Sequence, residues 1–329
     1  MKKVFVTGAC GMLGNSVCRE LLNKNYLVKA LVLENENSKS LEDTGVEICR
    51  GNILNYNLLL EQLKGCEIVI HIAAITDLYP RRSEMIIKVN IEGTVNIIKA
   101  VKELKLERMI HIGSASSFGN GTKQNPGNEF VPYNSSEFKM DYLDSKFNAQ
   151  QILINEFKEN GFPVVIINPT FMIGEFDAKP SSGKLIVSVC NNQLKFYNDG
   201  GRNFVYSKDV AIAVVNAITM GKTGECYLAG NENLTYFEFF KKIFNVIGKN
   251  FNMRKVGKFT VLFVGFLSSV WARITKKKPV ISMGIALLSL NENYYDPSKA
   301  RRELLMPSTP IDTAIKNSIA WFKSNGYIN

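Results

Sequence analysis

Tyr142 and Lys146 stand four residues apart in Tyr142-Leu143-Asp144-Ser145-Lys146, a spacing that puts both side chains on one face of a helix. The pair has a chemical use. A phenol with a pKa of about 10 exchanges protons poorly at neutral pH. An ammonium roughly 6 Å away, at an effective dielectric of about 20, stabilises the phenolate by about 3 kcal/mol. That would bring the phenol down by about 2 pH units. Tyr142 can then trade a proton with a carbonyl or alcohol oxygen during hydride transfer, and Lys146 can hold the ribose hydroxyls of a nicotinamide. Tyr and Lys at this spacing are also common on solvated helix faces, so the pair needs company. It comes from Gly113-Ser114-Ala115-Ser116-Ser117-Phe118-Gly119, directly after the apolar run Arg108 to Ile112. Ligands of open α/β sheets bind beyond the carboxyl ends of the strands. Ser114 at such an end can donate to a substrate oxygen, although serines there can equally satisfy the backbone of a turn.

A second group of residues suits a dinucleotide. Thr7-Gly8-Ala9-Cys10-Gly11-Met12-Leu13-Gly14 follows the β-branched run Lys3 to Thr7 and opens a helical pattern. Strand, glycine turn and helix are the context that gives such a motif meaning. Gly8 permits the tight turn, Gly11 lets a pyrophosphate approach the backbone, and Gly14 lets the helix pack on the strand. The free amides at the helix start then face the phosphates. Glu34, just past the second strand, is placed to accept from the adenosine ribose, which favours NAD over NADP. No Arg or Lys follows that strand immediately. The small-residue turn His71-Ile72-Ala73-Ala74 leaves room for a cofactor, and His71 itself reads as a packed core residue.

These groups require elements to hold them. Strands are expected at Lys3–Thr7, Leu27–Leu33, Val46–Arg50, Glu67–Ile72, Arg108–Ile112 and Val164–Asn168. Helices are expected at Leu13–Lys24, Asn55–Lys64, Glu84–Leu104 and Asp141–Asn160. Alternation of this kind predicts an α/β fold with a doubly wound parallel Rossmann sheet. The rhythm changes after Pro169. We divide the chain into a dinucleotide-binding domain at 1–170 and a smaller substrate-binding lobe at 171–329, with 204–228 partly returning to the sheet. Within that lobe, Phe204–Tyr206 and Cys226–Leu228 read as strands, and Tyr236–Ile247 and Pro310–Asn325 as helices.

The chain has 329 residues, 46% hydrophobic and 21% charged, with a net charge of +10. This is the composition of a soluble globular protein. The basic residues read as scattered over a solvated surface, so no nucleic-acid partner is expected. Six cysteines without CxxC spacing and only two histidines provide no metal site, and the cysteines read as small buried residues of a reducing compartment. The N-terminus has no signal-peptide pattern, and the reading is cytoplasmic. Phe259 to Ile274 is the longest apolar stretch and falls short of a spanning helix. Its length favours packing against the core of the lobe. The alternative is a helix resting on an anionic bilayer, since Arg254, Lys255 and Lys258 precede it and Lys276 to Lys278 follow.

Taken together, the motifs resemble the extended short-chain dehydrogenase/reductase family. The resemblance rests on TGACGMLG at 7–14, GNI at 51–53, HIAA at 71–74, VNIEGT at 89–94, GSASSFG at 113–119, YLDSK at 142–146 and NPTFMIG at 168–174. It implies that Ser114, Tyr142 and Lys146 form the catalytic triad. Gly8, Gly11 and Gly14 would hold the pyrophosphate, with Met12 and Leu13 along it. Asn52 and Ile53 would meet the adenine, Ala73 and Ala74 would line the cofactor channel, Asn90 would support the active-site helix, and Pro169 would flank the nicotinamide. Members usually carry Asp where this chain has Asn52 and Arg where it has Asn168. Many have Arg at Leu33, which again favours NAD. Within the family the chain is similar to dihydroflavonol 4-reductase-like and 3β-hydroxysteroid dehydrogenase-like members, and to epimerase-like members associated with hopanoid loci, through NPTFMIGEFDAKPSSG at 168–183, YYDPSKARREL at 294–304 and IAWFKSNGY at 319–327.

Two substrate classes compete. One is a large apolar ketone or alcohol, bound in part by a Phe-rich lobe in which Phe237, Phe239, Phe240, Phe259, Phe263 and Phe266 are mostly core. The other is a nucleotide sugar, handled by an epimerase or dehydratase that retains NAD. Arg202 would then meet the phosphates, although a salt bridge is its commoner fate. A third reading, a redox-sensing binding module, is opposed by the intact Ser114, Tyr142 and Lys146. The helices at Glu84–Leu104 and Asp141–Asn160 resemble those that pair relatives into homodimers.

Overall fold

The computed structural model describes residues 1–42 and 44–328. Its chain begins with β1 (Lys3–Thr7), α1 (Met12–Asn23), β2 (Leu27–Val32), β3 (Glu47–Arg50), α2 (Tyr56–Leu63) and β4 (Ile68–His71). There follow α3 (Glu84–Ile87), α4 (Gly93–Leu104), β5 (Arg108–Ile112), α5 (Asp141–Asn160), β6 (Val164–Pro169) and β7 (Phe171–Ile173). The remainder is α6 (Lys184–Cys190), β8 (Phe196–Tyr197), β9 (Gly201–Tyr206), α7 (Ser207–Met220), β10 (Cys226–Ala229), β11 (Glu232–Thr235), α8 (Tyr236–Val246) and β12 (Arg254–Lys255). It closes with α9 (Lys258–Thr275), α10 (Met283–Ser289), β13 (Glu292–Asn293), α11 (Ser298–Glu303) and α12 (Ile311–Ser324).

Seven parallel strands in the order β10-β6-β5-β4-β1-β2-β3 form the main sheet. This is the doubly wound Rossmann sheet. Side chains alternate across it, as the period of two requires. Val4, Val6, Ile68, Ile70, Val165 and Ile167 face one side, with α1 and α7 over them. Phe5, Val69, Met109, Val164 and Ile166 face the other and meet residues of α2, α4 and α5. Strand order reverses between β1 and β4, where Thr7 lies beside His71. A crevice opens at such a switch point, and both the glycine loop and the His71–Ala74 turn are there.

Of the segment read as returning to the sheet, Cys226–Ala229 pairs with β6. Phe204–Tyr206 belongs instead to a second sheet, with β7, β11 and β13. That sheet is backed by α8 and α12 around Phe204, Phe239, Phe244, Ile315 and Phe322, with Phe204 and Phe239 stacked at 4.0 Å.

The helix expected over Glu84–Leu104 contains a π-helical turn at Lys88–Glu92. Helix α9 does not pack into the lobe core, as its length suggested. It is long and apolar enough to cross a membrane by length and composition, and most of its large side chains face outward.

Candidate active site

The glycine loop is shaped by contacts that exclude side chains. Gly8 adopts φ +71°, and a Cβ there would lie 2.7 Å from the Ala73 nitrogen. At Gly14 a Cβ would overlap the Gly8 carbonyl oxygen, so only glycine lets α1 approach β1 this closely. Gly11 differs. Its backbone is ordinary, and a Cβ would meet only the Gly8 oxygen at 3.5 Å. Gly11 faces open space ahead of α1, which has no side-chain cap and no acidic residue in its first turn. The amides of Met12, Leu13 and Gly14 are therefore free to face an anion. These residues fit a dinucleotide pyrophosphate.

Where the adenosine is expected from the sequence, there is a groove of about 350 Å³ lined by Leu33, Glu34, Glu36, Gly51, Asn52 and Lys179, among others. The Arg50 guanidinium donates to the Leu33 and Glu34 carbonyls, both at 3.0 Å. Arg50 thus braces the loop that carries Glu34. Sequence reasoning missed both cations at this end. Arg50 sits across from Val32 in the β2–β3 register, a signal available only once the strands are paired. Asn52 accepts from the Leu54 amide at 3.0 Å. Ile53 is buried under α4 against Gly93.

At the centre, Thr7 Oγ1 holds His71 Nδ1 at 2.8 Å and accepts from the amides of Ile72 and Ala73. His71 Nε2 meets Thr94 Oγ1 at 3.2 Å. Burial drives the His71 imidazole down to about 3, so it stays neutral and fastens the turn. Ala73 and Ala74 follow it, half-buried.

The candidate catalytic residues come from the end of β5 and the start of α5. Ser114 leaves β5 with extended backbone and accepts from the Ser116 amide. The Ser114 and Ser116 hydroxyls are 2.7 Å apart. Asp141, one residue before Tyr142, anchors the start of α5 through Arg82 and the Ser83 amide, both at 2.6 Å. Asn90, inside the π-helical turn, donates to Ser145 Oγ on α5 and to the Ile75 carbonyl, both at 3.0 Å. A π-turn displaces one residue from the α register, and Asn90 uses that displacement to tie the cofactor turn to the active-site helix. Asn168 fills the place where Arg is usual. Its amide donates to the Ser114 carbonyl at 3.0 Å and to Gln150 at 2.7 Å. Pro169 follows at the end of β6.

The Tyr142 phenol lies beside the Ser114 hydroxyl, close enough for it to favour the phenolate. The electrostatics differ from the sequence expectation. Burial raises the phenol above its ordinary value, while the bond to Ser114 and the Arg202 charge oppose the rise. Lys146 donates to the Ile112 carbonyl at 2.7 Å, and burial lowers its ammonium to about 8. Arg202 is thus a cation that favours the phenolate, beside the Lys146 expected from the sequence. The Arg202 guanidinium donates to the Tyr236 hydroxyl at 2.8 Å and lies over the Phe171 ring. Among the described residues it pairs with no carboxylate, contrary to the salt bridge expected of it.

Apolar side chains flank Tyr142: Leu78, Phe138, Met140 and Leu288. These, and not the phenylalanines singled out by sequence, line that side. Phe239 and Phe240 are core, and Phe237, Phe259, Phe263 and Phe266 are on the surface.

A Rossmann crevice that brings together a serine, a tyrosine and a lysine at the ends of β5 and α5 defines an enzyme of the extended short-chain dehydrogenase/reductase class. Residues 4–230 match the model of the NAD dependent epimerase/dehydratase family, and the chain belongs to that family. It is 29% identical to a Synechocystis protein with a provisional dihydroflavonol 4-reductase name, over 98% of this chain and 95% of that protein. It is 25% identical to sterol demethylase protein B of Methylococcus capsulatus, over 98% and 99%. Among solved structures, that of gox2253 covers all of both chains with a TM-score of 0.88 and 28% identity. UDP-glucose 4-epimerase of Thermotoga maritima shares the fold at a TM-score of 0.79 and 17% identity, over 98% and 99%.

Proposed function

We propose that the protein interconverts a ketone and a secondary alcohol on a fairly large apolar small molecule, with an NAD(P) cofactor and Tyr142 as acid/base. The observation that carries this reading is the half-buried Tyr142 beside Ser114, with an apolar flank. A bound nicotinamide supplies the hydride donor or acceptor and, when oxidised, a positive charge. The chain's residues do the rest. The Ser114 hydroxyl donates to the substrate oxygen and binds its developing charge. The Tyr142 phenol gives that oxygen a proton in reduction and takes it back in oxidation. Arg202 stabilises the phenolate left behind. Lys146, held by the Ile112 carbonyl, would meet the ribose hydroxyls of the nicotinamide.

The cofactor residues we assign are Gly8, Gly11, Met12, Leu13 and Gly14 for the pyrophosphate, and Glu34, Asn52 and Ile53 for the adenosine. Ala73, Ala74, Tyr142, Lys146 and Pro169 serve the nicotinamide half. Glu34 favours NAD. The names of relatives point the same way as the apolar flank: one is a 3-beta-hydroxysteroid dehydrogenase of Mycolicibacterium neoaurum, 24% identical over 92% of this chain. We further propose a cytoplasmic homodimer paired through the helical stretch 84–104 and α5.

A second reading, a nucleotide-sugar epimerase or dehydratase with retained NAD, is favoured by one observation: the Arg202 guanidinium near Tyr142 has no carboxylate partner among the described residues. Denaturing the purified protein and measuring released nicotinamide separates the two. An empty protein that binds NADH or NADPH reversibly supports the dehydrogenase; near-stoichiometric NAD supports the epimerase. Tyr142→Phe should leave cofactor binding intact and lower kcat by about 10²- to 10⁴-fold. Unchanged turnover would overturn Tyr142 as the acid/base.

A further inference from the structure

Helix α9 is built inside out for a soluble protein. Its buried positions are small or modest: Val261, Gly265 and Ala272. Phe259, Phe263, Phe266, Leu267, Val270 and Ile274 recur at helical spacing on the outward face, and Trp271 and Val264 widen it. Phe259 is 88% exposed and Trp271 67%. An amphipathic helix of a soluble protein turns such a stripe inward, and contiguous apolar surface of this kind marks an interaction site.

The charge around the helix identifies the partner. Residues 239–291 hold ten of the chain's 40 Lys and Arg and none of its 30 Asp and Glu. The entire net charge of +10 therefore resides in this one segment, and the basic residues are not scattered as the composition suggested. Arg254, Lys255 and Lys258 lie at one end of α9, and Arg273 and Lys276 to Lys278 at the other. A large apolar face bounded at both ends by cations, with a tryptophan at its edge, complements an anionic lipid surface.

Geometry decides between lying on the bilayer and crossing it. Eighteen residues span about 27 Å, against a hydrocarbon core of about 30 Å. Both ends return to the same globular body. Arg254–Lys255 pair with β8 before the helix begins. After it, Ser268 Oγ accepts from the Val280 amide at 3.1 Å and Ser269 Oγ from the Met283 amide at 2.8 Å. The helix is thus strapped along its inner side to the chain that follows, with only its outer side free. We propose that α9 lies in the interface of an anionic membrane, its Phe and Trp side chains among the lipid chains and its terminal cations at the headgroups.

The placement has a consequence for the active site. A Cβ at Gly265 would sit 2.7 Å from the Ala286 methyl, so α9 and α10 are in close contact. Leu288 of α10 packs in the same apolar cluster as Tyr142. One helix therefore separates the lipid face from the catalytic tyrosine. If the substrate is apolar, which rests on the ketone/alcohol reading above, α10 borders its route from the bilayer.

Flotation tests the docking without any turnover. The full chain is mixed with phosphatidylcholine vesicles containing about 30% phosphatidylglycerol, an anionic surface of the kind that attracts basic segments. The protein should float with them at low salt, release as salt rises, and float poorly with pure phosphatidylcholine. Phe263→Glu with Phe266→Glu should abolish flotation, and neutralising Lys276, Lys277 and Lys278 together should weaken it at least about tenfold. All these positions are exposed, and unchanged NADH binding confirms that the variants fold. Trp271 emission should shift to the blue on vesicles and be quenched by brominated lipid. No flotation at low salt overturns the proposal. So does a soluble dimer that the Phe263/Phe266 variant splits into monomers, which would make the face a contact between two copies. Flotation that persists without turnover on any ketone would leave the docking standing and count against the substrate reading alone.

Discussion

In the proposed reaction Tyr142 moves the proton, and its surroundings set its proton affinity. Burial holds the phenol up, and Arg202 pulls it down. Removing that charge by Arg202→Gln should raise the phenol further. Alcohol oxidation needs the phenolate, so the alkaline rise of kcat/KM should move to higher pH, which a pH–rate profile reads directly. An unmoved profile would return the role to Lys146. The lysine makes its own prediction. Its folded value of about 8 lies below the 10.5 of an exposed lysine. Between those pH values the unfolded chain holds a proton that the folded chain has released, so stability rises with pH across that window. Lys146→Met should lack this increment relative to the wild type, as measured by urea unfolding at pH 8 and pH 10. Equal pH slopes in the two proteins would show that Lys146 keeps its proton when buried.

Among the elements, the strand–turn–helix at the start of the chain makes a sharp distinction between two glycines. Gly14→Ala forces α1 off β1, because the added methyl overlaps the Gly8 carbonyl. It should destabilise the fold and lose dinucleotide binding together. Gly11→Ala adds a methyl to open space in a permitted conformation. Its thermal stability should change by less than about 1 kcal/mol, while dinucleotide affinity drops at least about tenfold, because the methyl occupies the approach to the pyrophosphate. Equal affinity in Gly11→Ala would remove the pyrophosphate from this loop. These local features were legible in the sequence because strand period, glycine spacing and helix onset are all encoded within a few residues. The same holds for β1 to β6 and for α5, whose bounds match the sequence expectation to within one residue at each end. The π-turn at Lys88–Glu92 was not legible. It follows from a tertiary demand, the reach of Asn90 to both Ile75 and Ser145. Nor was the outward face of α9, since a run of Phe, Leu and Val reads the same whether it turns in or out. The role of Arg202 was hidden for a similar reason: β9 brings it to Tyr142 across 60 residues of sequence.

For the molecule as a whole, the crevice is closed by parts of the chain that are remote in sequence. The turns after β1 and β4, the Ser114 turn after β5 and the start of α5 all face it, and they are joined by Thr7, His71, Asn90 and Asn168. A cofactor that contacts them together binds only the folded chain. By linkage it should stabilise the protein by about 2.7 kcal/mol at a concentration one hundred times its Kd. Thermal unfolding with and without NADH and NADPH therefore reads both affinity and preference. With Glu34 on the adenosine groove and Arg50 held by backbone carbonyls, NADH should raise the Tm more than NADPH at equal concentration. A larger rise with NADPH would assign Lys179, which pairs with Glu36 in the groove, to a 2′-phosphate. A protein whose Tm moves with neither, yet releases NAD on denaturation, would already hold its cofactor, and the epimerase reading would gain at the expense of the dehydrogenase.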